Sequence, residues 1–254
     1  MKKIIAVVNQ SGGAGKTTLS QNIGYHLGLK NRVLLVDMDP QASLTAFMGL
    51  DKLKLEVEQN IYGAITDRVP IKVWNEPIHG VYFIPTNQEL SSAELEIMRD
   101  MAVDNRMRLK IALEEIADQF DYAIIDCPPS LSLLSIMSLV AATHVVIPLE
   151  TQYKCYKGTD DLFGTIARVK KSGHKNLEIA CIVPNKYEGK NLHDKEILEE
   201  VTNLVQGKIH VTEPIPKSTA FANASKEHVP LALYKKSHPG VKMLQAISDY
   251  LEKL

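Results

Sequence analysis

The chain has 254 residues, 45% hydrophobic and 23% charged, with 29 Lys and Arg against 30 Asp and Glu. Ample apolar content and a formal net charge of −1 exclude a disordered chain and a histone-like polycation. Any nucleic acid must therefore be held by a local basic patch.

Short apolar runs at 4–9, 32–37, 81–85, 122–126, 143–149 and 178–183 read as strands buried on both faces. Between them, helices are expected at about 17–29, 89–99, 105–119, 132–142, 156–171, 193–205 and 238–253. Within 106–120, Ile111, Leu113, Ile116 and Phe120 recur at helical spacing. The alternation predicts an α/β fold of three layers, a mostly parallel sheet with helices on both faces. No linker or repeat interrupts it, so one domain over 1–254 is expected, with 50–80 the least readable stretch. Three cysteines, Cys127, Cys155 and Cys181, stand too far apart for a disulfide framework or a zinc pattern, which points to a reducing, cytoplasmic setting. The first apolar run is too short for a signal peptide, and none reaches the ~18 residues of a membrane span.

The first strand runs into Gln10-Ser11-Gly12-Gly13-Ala14-Gly15-Lys16-Thr17-Thr18 and then a helix. This is the strand–loop–helix setting of a phosphate loop, and it makes the predicted fold that of a P-loop NTPase. The glycines let successive N–H groups turn inward as an anion nest, and the helix adds its positive end. Lys16 is placed to reach the β- and γ-phosphates, and the Thr17 hydroxyl to ligate Mg²⁺. Thr18 is a candidate α-phosphate contact, or packs inside the helix. Asp126 ends a buried strand beside this loop, where a carboxylate can hold a Mg²⁺-bound water. Asp39 lies beyond the next strand at the same edge. Asp37 belongs either to the Mg²⁺ network or to a helix cap or turn. Asn185 ends another strand, as an adenine-edge partner or as a turn residue.

The loop departs from G-x-x-x-x-G-K-[ST], since residue 10 is Gln. It resembles instead the deviant Walker A form of the ParA/MinD superfamily. Val33-Leu34-Leu35-Val36-Asp37-Met38-Asp39-Pro40 is similar to that family's second acidic motif, and Tyr122-Ala123-Ile124-Ile125-Asp126-Cys127-Pro128-Pro129 to its Walker B. Ile215-Pro216-Lys217-Ser218, Ala224, Pro230, Tyr234 and Gly240 resemble its closing pattern, so the likeness runs from residue 3 to about 253 and is nearest the ParA/Soj branch. The resemblance implies a Mg²⁺-dependent ATPase in which Asp39 orients the attacking water. It also implies a contact of Pro216 with the adenine.

Where the family carries a lysine that reaches the partner's ATP, this chain has Ser11. Among relatives, that change is reminiscent of the carboxysome-positioning ATPases. In 152–157, Gln152, Lys154 and Lys157 replace acidic or aromatic residues of the family pattern. Lys154, or else Lys157, is the candidate for the missing cation acting across a dimer; the alternative is a solvated helix start.

The resemblance further implies an ATP-bound homodimer that binds nucleoid DNA without sequence preference. A cargo-linked adaptor of McdB or ParB type would release it by stimulating hydrolysis. Distribution of carboxysomes is the first expectation, plasmid or chromosome partition the alternative, and a metabolic P-loop enzyme a third. Candidate DNA lysines are Lys186, Lys190, Lys235 and Lys236, set against ordinary solvated lysines. The last helix carries Met243, Leu244, Ile247, Tyr250, Leu251 and Leu254 at helical spacing, with Asp249 and Glu252 offsetting its lysines. It is expected to pack on the core and not on a membrane.

Overall fold

The computed structural model describes residues 1–50, 54–66, 69–99, 104–151, 153–205 and 207–254, with the backbone alone over 153–160. Seven strands form one sheet: β1 (Lys3–Val7), β2 (Val33–Asp37), β3 (Tyr82–Ile84), β4 (Tyr122–Asp126), β5 (His144–Glu150), β6 (Glu178–Asn185) and β7 (His210–Val211). Their order is β3-β2-β4-β1-β5-β6-β7, and every pairing is parallel. A parallel sheet needs crossover helices, which cover both faces.

Alternate residues of each strand feed two cores. Ile5 and Val7 of β1, with Ile124 of β4, face α1 (Lys16–Gly28), α2 (Ser43–Phe47), α9 (Thr219–Lys226), α10 (Leu231–Tyr234) and α11 (Pro239–Lys253). Ala6 and Val8, with Ala123 and Ile125, face α3 (Ile61–Ile65), α4 (Leu90–Arg99), α5 (Arg108–Glu114), α6 (Leu133–Ala141), α7 (Tyr153–Lys171) and α8 (Leu192–Val205). The period of two along a strand makes both packings possible at once.

The last helix packs as expected: Leu244, Ile247 and Leu251 are buried against α1, while Leu254 stays half exposed. No helix among the described residues is long and apolar enough to cross a membrane. The expected helix over 105–119 is in fact three pieces, α5 between 3₁₀ turns at Asn105–Met107 and Ala117–Gln119. Ile111 lies on its outer face, while Leu109, Ala112, Leu113 and Ile116 are buried. Four helices, α2, α3, α9 and α10, and the two-residue β7 were not expected, because none is long enough to show a period.

Parallel pairing brings all carboxyl ends to one edge. Asp37 and Asp126 stand opposite each other in register, as do Val7 and Asp126, and Glu150 and Asn185.

Candidate nucleotide site

The loop between β1 and α1 is held from both sides. Asn9 is buried, donates to the Pro148 carbonyl, and accepts from the Ser11 N–H at 2.8 Å. Gly13 and Gly15 have φ of +80° and +92°, which an L side chain rarely adopts. Gly15 is also where α1 begins, and a Cβ there would overlap the Asn185 amide nitrogen. That nitrogen donates to the Ala14 carbonyl at 2.8 Å. The close approach of β6 to the loop therefore requires glycine at 15.

The loop opens on a cleft of about 870 Å³ lined by Gly12, Gly13, Gly15, Lys16, Thr17, Thr18, Asp39, Asn185, Lys186, Pro216 and residues of α2 and α9. Lys16 is buried, and its amine donates to the Ser11 carbonyl at 3.1 Å. Burial lowers its pKa, opposed by the charges of Asp126, Cys127 and Asp39. Thr18 lines the cleft, as a phosphate contact requires. Pro216 lines it too, where β6 and the 215–217 segment meet in a bridge between Tyr187 and Pro216.

Asp126 is fully buried. Its Oδ1 accepts from Ser20 Oγ at 2.9 Å, and its Oδ2 has no hydrogen-bond partner among the described residues. Burial pushes its pKa up, with the Thr17 and Ser20 hydroxyls and Lys16 pulling the other way. A buried carboxylate oxygen without a partner costs free energy unless a cation or donor satisfies it. The residues present thus fit a divalent cation held by Asp126 and Thr17. Ser20 was not picked out from the sequence. Its position one helical turn after Lys16, on the face that meets Asp126, was the available signal.

Asp37 makes the contacts of the turn residue that was one of its two expected roles. Its Oδ1 accepts from the Asp39 N–H at 3.1 Å, and its Oδ2 from the N–H and hydroxyl of Thr45, each at 2.8 Å. Both oxygens accept from protein donors, so Asp37 holds the turn into α2. Burial, then the facing Asp126, raises its pKa, while the Thr45 and Asp39 donors lower it. Asp39 is also buried and lines the cleft; its Oδ1 accepts from the Gln41 N–H at 3.0 Å. Burial raises its pKa, and Lys16 lowers it.

Asn185 ends β6 and turns back on the phosphate loop. Its amide nitrogen serves the Ala14 carbonyl and its oxygen accepts from the Lys186 N–H at 2.9 Å, so the residue braces the phosphate loop. Lys186, one of the lysines expected at DNA, has its amine 3.5 Å from Glu150 Oε2 and lines the nucleotide cleft. Lys190, Lys235 and Lys236 are exposed. Lys190 lines a side cleft with Lys217, and Lys235 and Lys236 follow α10, with no cleft shared among the described residues. The side chains of Lys154 and Lys157 lie outside the described residues.

α9 was missed, and with it Ser218 and Phe221 on the cleft wall. Ser218 caps that helix by accepting from the Ala220 N–H, and is itself held by His238 Nε2 at 3.0 Å.

A family model described as an AAA domain matches residues 2–179. The sporulation initiation inhibitor protein Soj of Bacillus subtilis is 35% identical over 246 residues, covering 96% of this chain and 95% of that protein. Cobyrinic acid a,c-diamide synthase of Mycobacterium smegmatis, solved with ADP and magnesium, matches with a TM-score of 0.83 at 28% identity over 100% of this chain and 95% of that one. A McdA variant of Cyanothece, solved with ATP, shares the fold with a TM-score of 0.89 at 23% identity over 98% and 96%. With its phosphate loop, its paired acidic strand ends and these relatives, the chain belongs to the ParA/MinD superfamily of P-loop ATPases, on the Soj/ParA branch.

Proposed function

We propose that the chain is a Mg²⁺-dependent positioning ATPase of the partition type. ATP closes two copies into a dimer, the dimer holds nucleoid DNA without reading sequence, and a cargo-linked adaptor stimulates hydrolysis and so releases it. The observation that carries the reading is the buried, unpartnered Asp126 oxygen beside a phosphate loop, with Asp39 on the wall of the same cleft. Loop N–H groups and Lys16 hold the phosphates. Asp126 and Thr17 would hold Mg²⁺, which when bound would neutralise charge at the phosphoryl group. Asp39, fixed through Oδ1 by Gln41, keeps Oδ2 to orient water for attack, giving ADP and phosphate.

The identity to Soj supports partition as the cargo class. Ser11 in place of the family lysine favours carboxysome distribution as a second reading. Lys190, Lys235 and Lys236 are the proposed DNA contacts.

The test is DNA retention with ATP, with ADP and without nucleotide. Retention only with ATP, falling steeply with salt, is the expected result. Retention that ignores the nucleotide overturns the switch.

A further inference from the structure

Lys186 carries an unusual backbone. Its φ is +55°, in the left-handed region that a long side chain rarely enters. Neighbours on both sides keep it there. Asn185 is anchored on the Ala14 carbonyl and accepts from the Lys186 N–H. On the other side, the Tyr187 N–H donates to the Ile215 carbonyl at 3.0 Å, and the Tyr187 carbonyl accepts from the Lys217 N–H at 3.1 Å. A strained residue that its surroundings over-determine is a mark of a functional position.

The strain has a consequence for the amine. It brings Nζ over the phosphate loop, 3.6 Å from where a Cβ on Gly13 would stand, on the wall of the nucleotide cleft. There it pairs with Glu150 Oε2 at 3.5 Å. The Glu150 side chain is only 14% exposed and that of Lys186 39%, so the amine is the mobile partner and faces open space. Glu150 is the last residue of β5, opposite Asn185 in register, so the carboxylate end of the ion pair is fixed by the sheet.

Resting on the nucleotide reading of the cleft, we infer that Lys186 is a second phosphate-binding cation of the same subunit, which leaves Glu150 for the phosphate chain when nucleotide enters. The chain has an uncharged Ser11 where its family has a lysine, so the loop alone offers Lys16 as its one cation. Lys186 adds a positive charge from β6 on the loop's open side. Glu150 holds that charge in place when the cleft carries no anion, and competes with the nucleotide for it.

Mg-ATP and Mg-ADP affinities of the full chain, measured by calorimetry, test this. Lys186→Asn keeps a residue type that tolerates the left-handed backbone and removes the amine. It is expected to weaken both nucleotides by about tenfold to a hundredfold, the scale of a lost charge-assisted hydrogen bond. Lys186→Arg restores the charge and most of the affinity. Glu150→Gln frees the amine and tightens binding a few-fold. Unchanged affinity in Lys186→Asn, or equal losses in the Asn and Arg variants, overturns the inference. Failure of the nucleotide reading shows separately, as no ATP binding by the unaltered chain.

Discussion

Gly15→Ala probes the contact between the phosphate loop and β6. The residue sits at φ +92°, and a Cβ would overlap the Asn185 amide nitrogen. An L residue in the left-handed region costs about 1–2 kcal/mol. To make room, Asn185 must give up its bond to the Ala14 carbonyl, worth about 0.5–1.5 kcal/mol net. The total is about 1.5–3.5 kcal/mol, or roughly 3–14 °C in Tm for a domain of this size. Asn185→Ala removes the same bond and leaves a buried carbonyl without a partner, at about 1–3 kcal/mol. In the double variant the overlap is gone and the bond is already lost. The two changes together should therefore cost less than their sum by about 1 kcal/mol. Thermal and urea denaturation of the four proteins measures this. A Gly15→Ala protein with unchanged Tm, or strict additivity with Asn185→Ala, refutes the close approach and with it the role of Asn185 as a brace.

Asp39→Ala is expected to slow ATP hydrolysis by about 10²-fold or more while ATP-dependent DNA retention persists; equal loss of both would place Asp39 in binding. Leu251→Ala, in a fully buried position of α11, should cost about 2–5 kcal/mol in denaturation, and an unchanged midpoint would show that this helix does not pack on α1. His26 is buried on α1 with neither ring nitrogen hydrogen-bonded among the described residues, and burial lowers its pKa below 6.5. The unfolded chain then binds the extra proton first, so this histidine's contribution to stability is present above about pH 6.5 and is lost as pH falls below it. His26→Leu should flatten that acid limb in a Tm-against-pH series; the same slope in both proteins would exclude His26 as its source.

The phosphate loop, Lys16, Thr17, Asp39 and Asp126 were legible because their chemistry depends on residue type at fixed spacing after a strand. Five of the six expected strands and most long helices were legible for a similar reason: a buried parallel strand is a continuous apolar run, and a long amphipathic helix repeats. The sixth, 81–85, contracts to the three-residue β3, held by its pairing with β2. What stayed hidden depends on the tertiary return of the chain. Asp37 reads either as part of a Mg²⁺ network or as a turn residue, and its contact with Thr45, eight residues on, shows only once the chain folds back. Lys186 reads as a surface lysine after a strand, because a left-handed φ at a non-glycine residue leaves no trace in composition. Ser218 and α9 were obscured by Pro216 and by a helix only eight residues long. The unexpected elements are all short, and two of them, α2 and α9, line the cleft.

Those short elements also join the cleft to the C-terminal lysines. Asn22, on the helix that the phosphate loop opens, donates to the Thr18 carbonyl and accepts from the Leu231 N–H, both at 2.8 Å. Leu231 begins α10, and Lys235 and Lys236 follow it directly. A second tie runs from α2, just after Asp39: the Ala46 carbonyl meets His228 Nδ1 at 2.7 Å, and the His228 carbonyl meets His79 Nε2 at 2.8 Å. His228 also lines the cleft. A shift of α1 or α2 cannot therefore leave α10 in place without breaking a short hydrogen bond, one of them buried. For a chain of net charge −1, this is a physical route by which a change at the phosphates can reach a few local lysines. Whether the two ends are energetically coupled is what the nucleotide dependence of DNA retention measures, because coupling is a free-energy difference between states and not a property of the path alone.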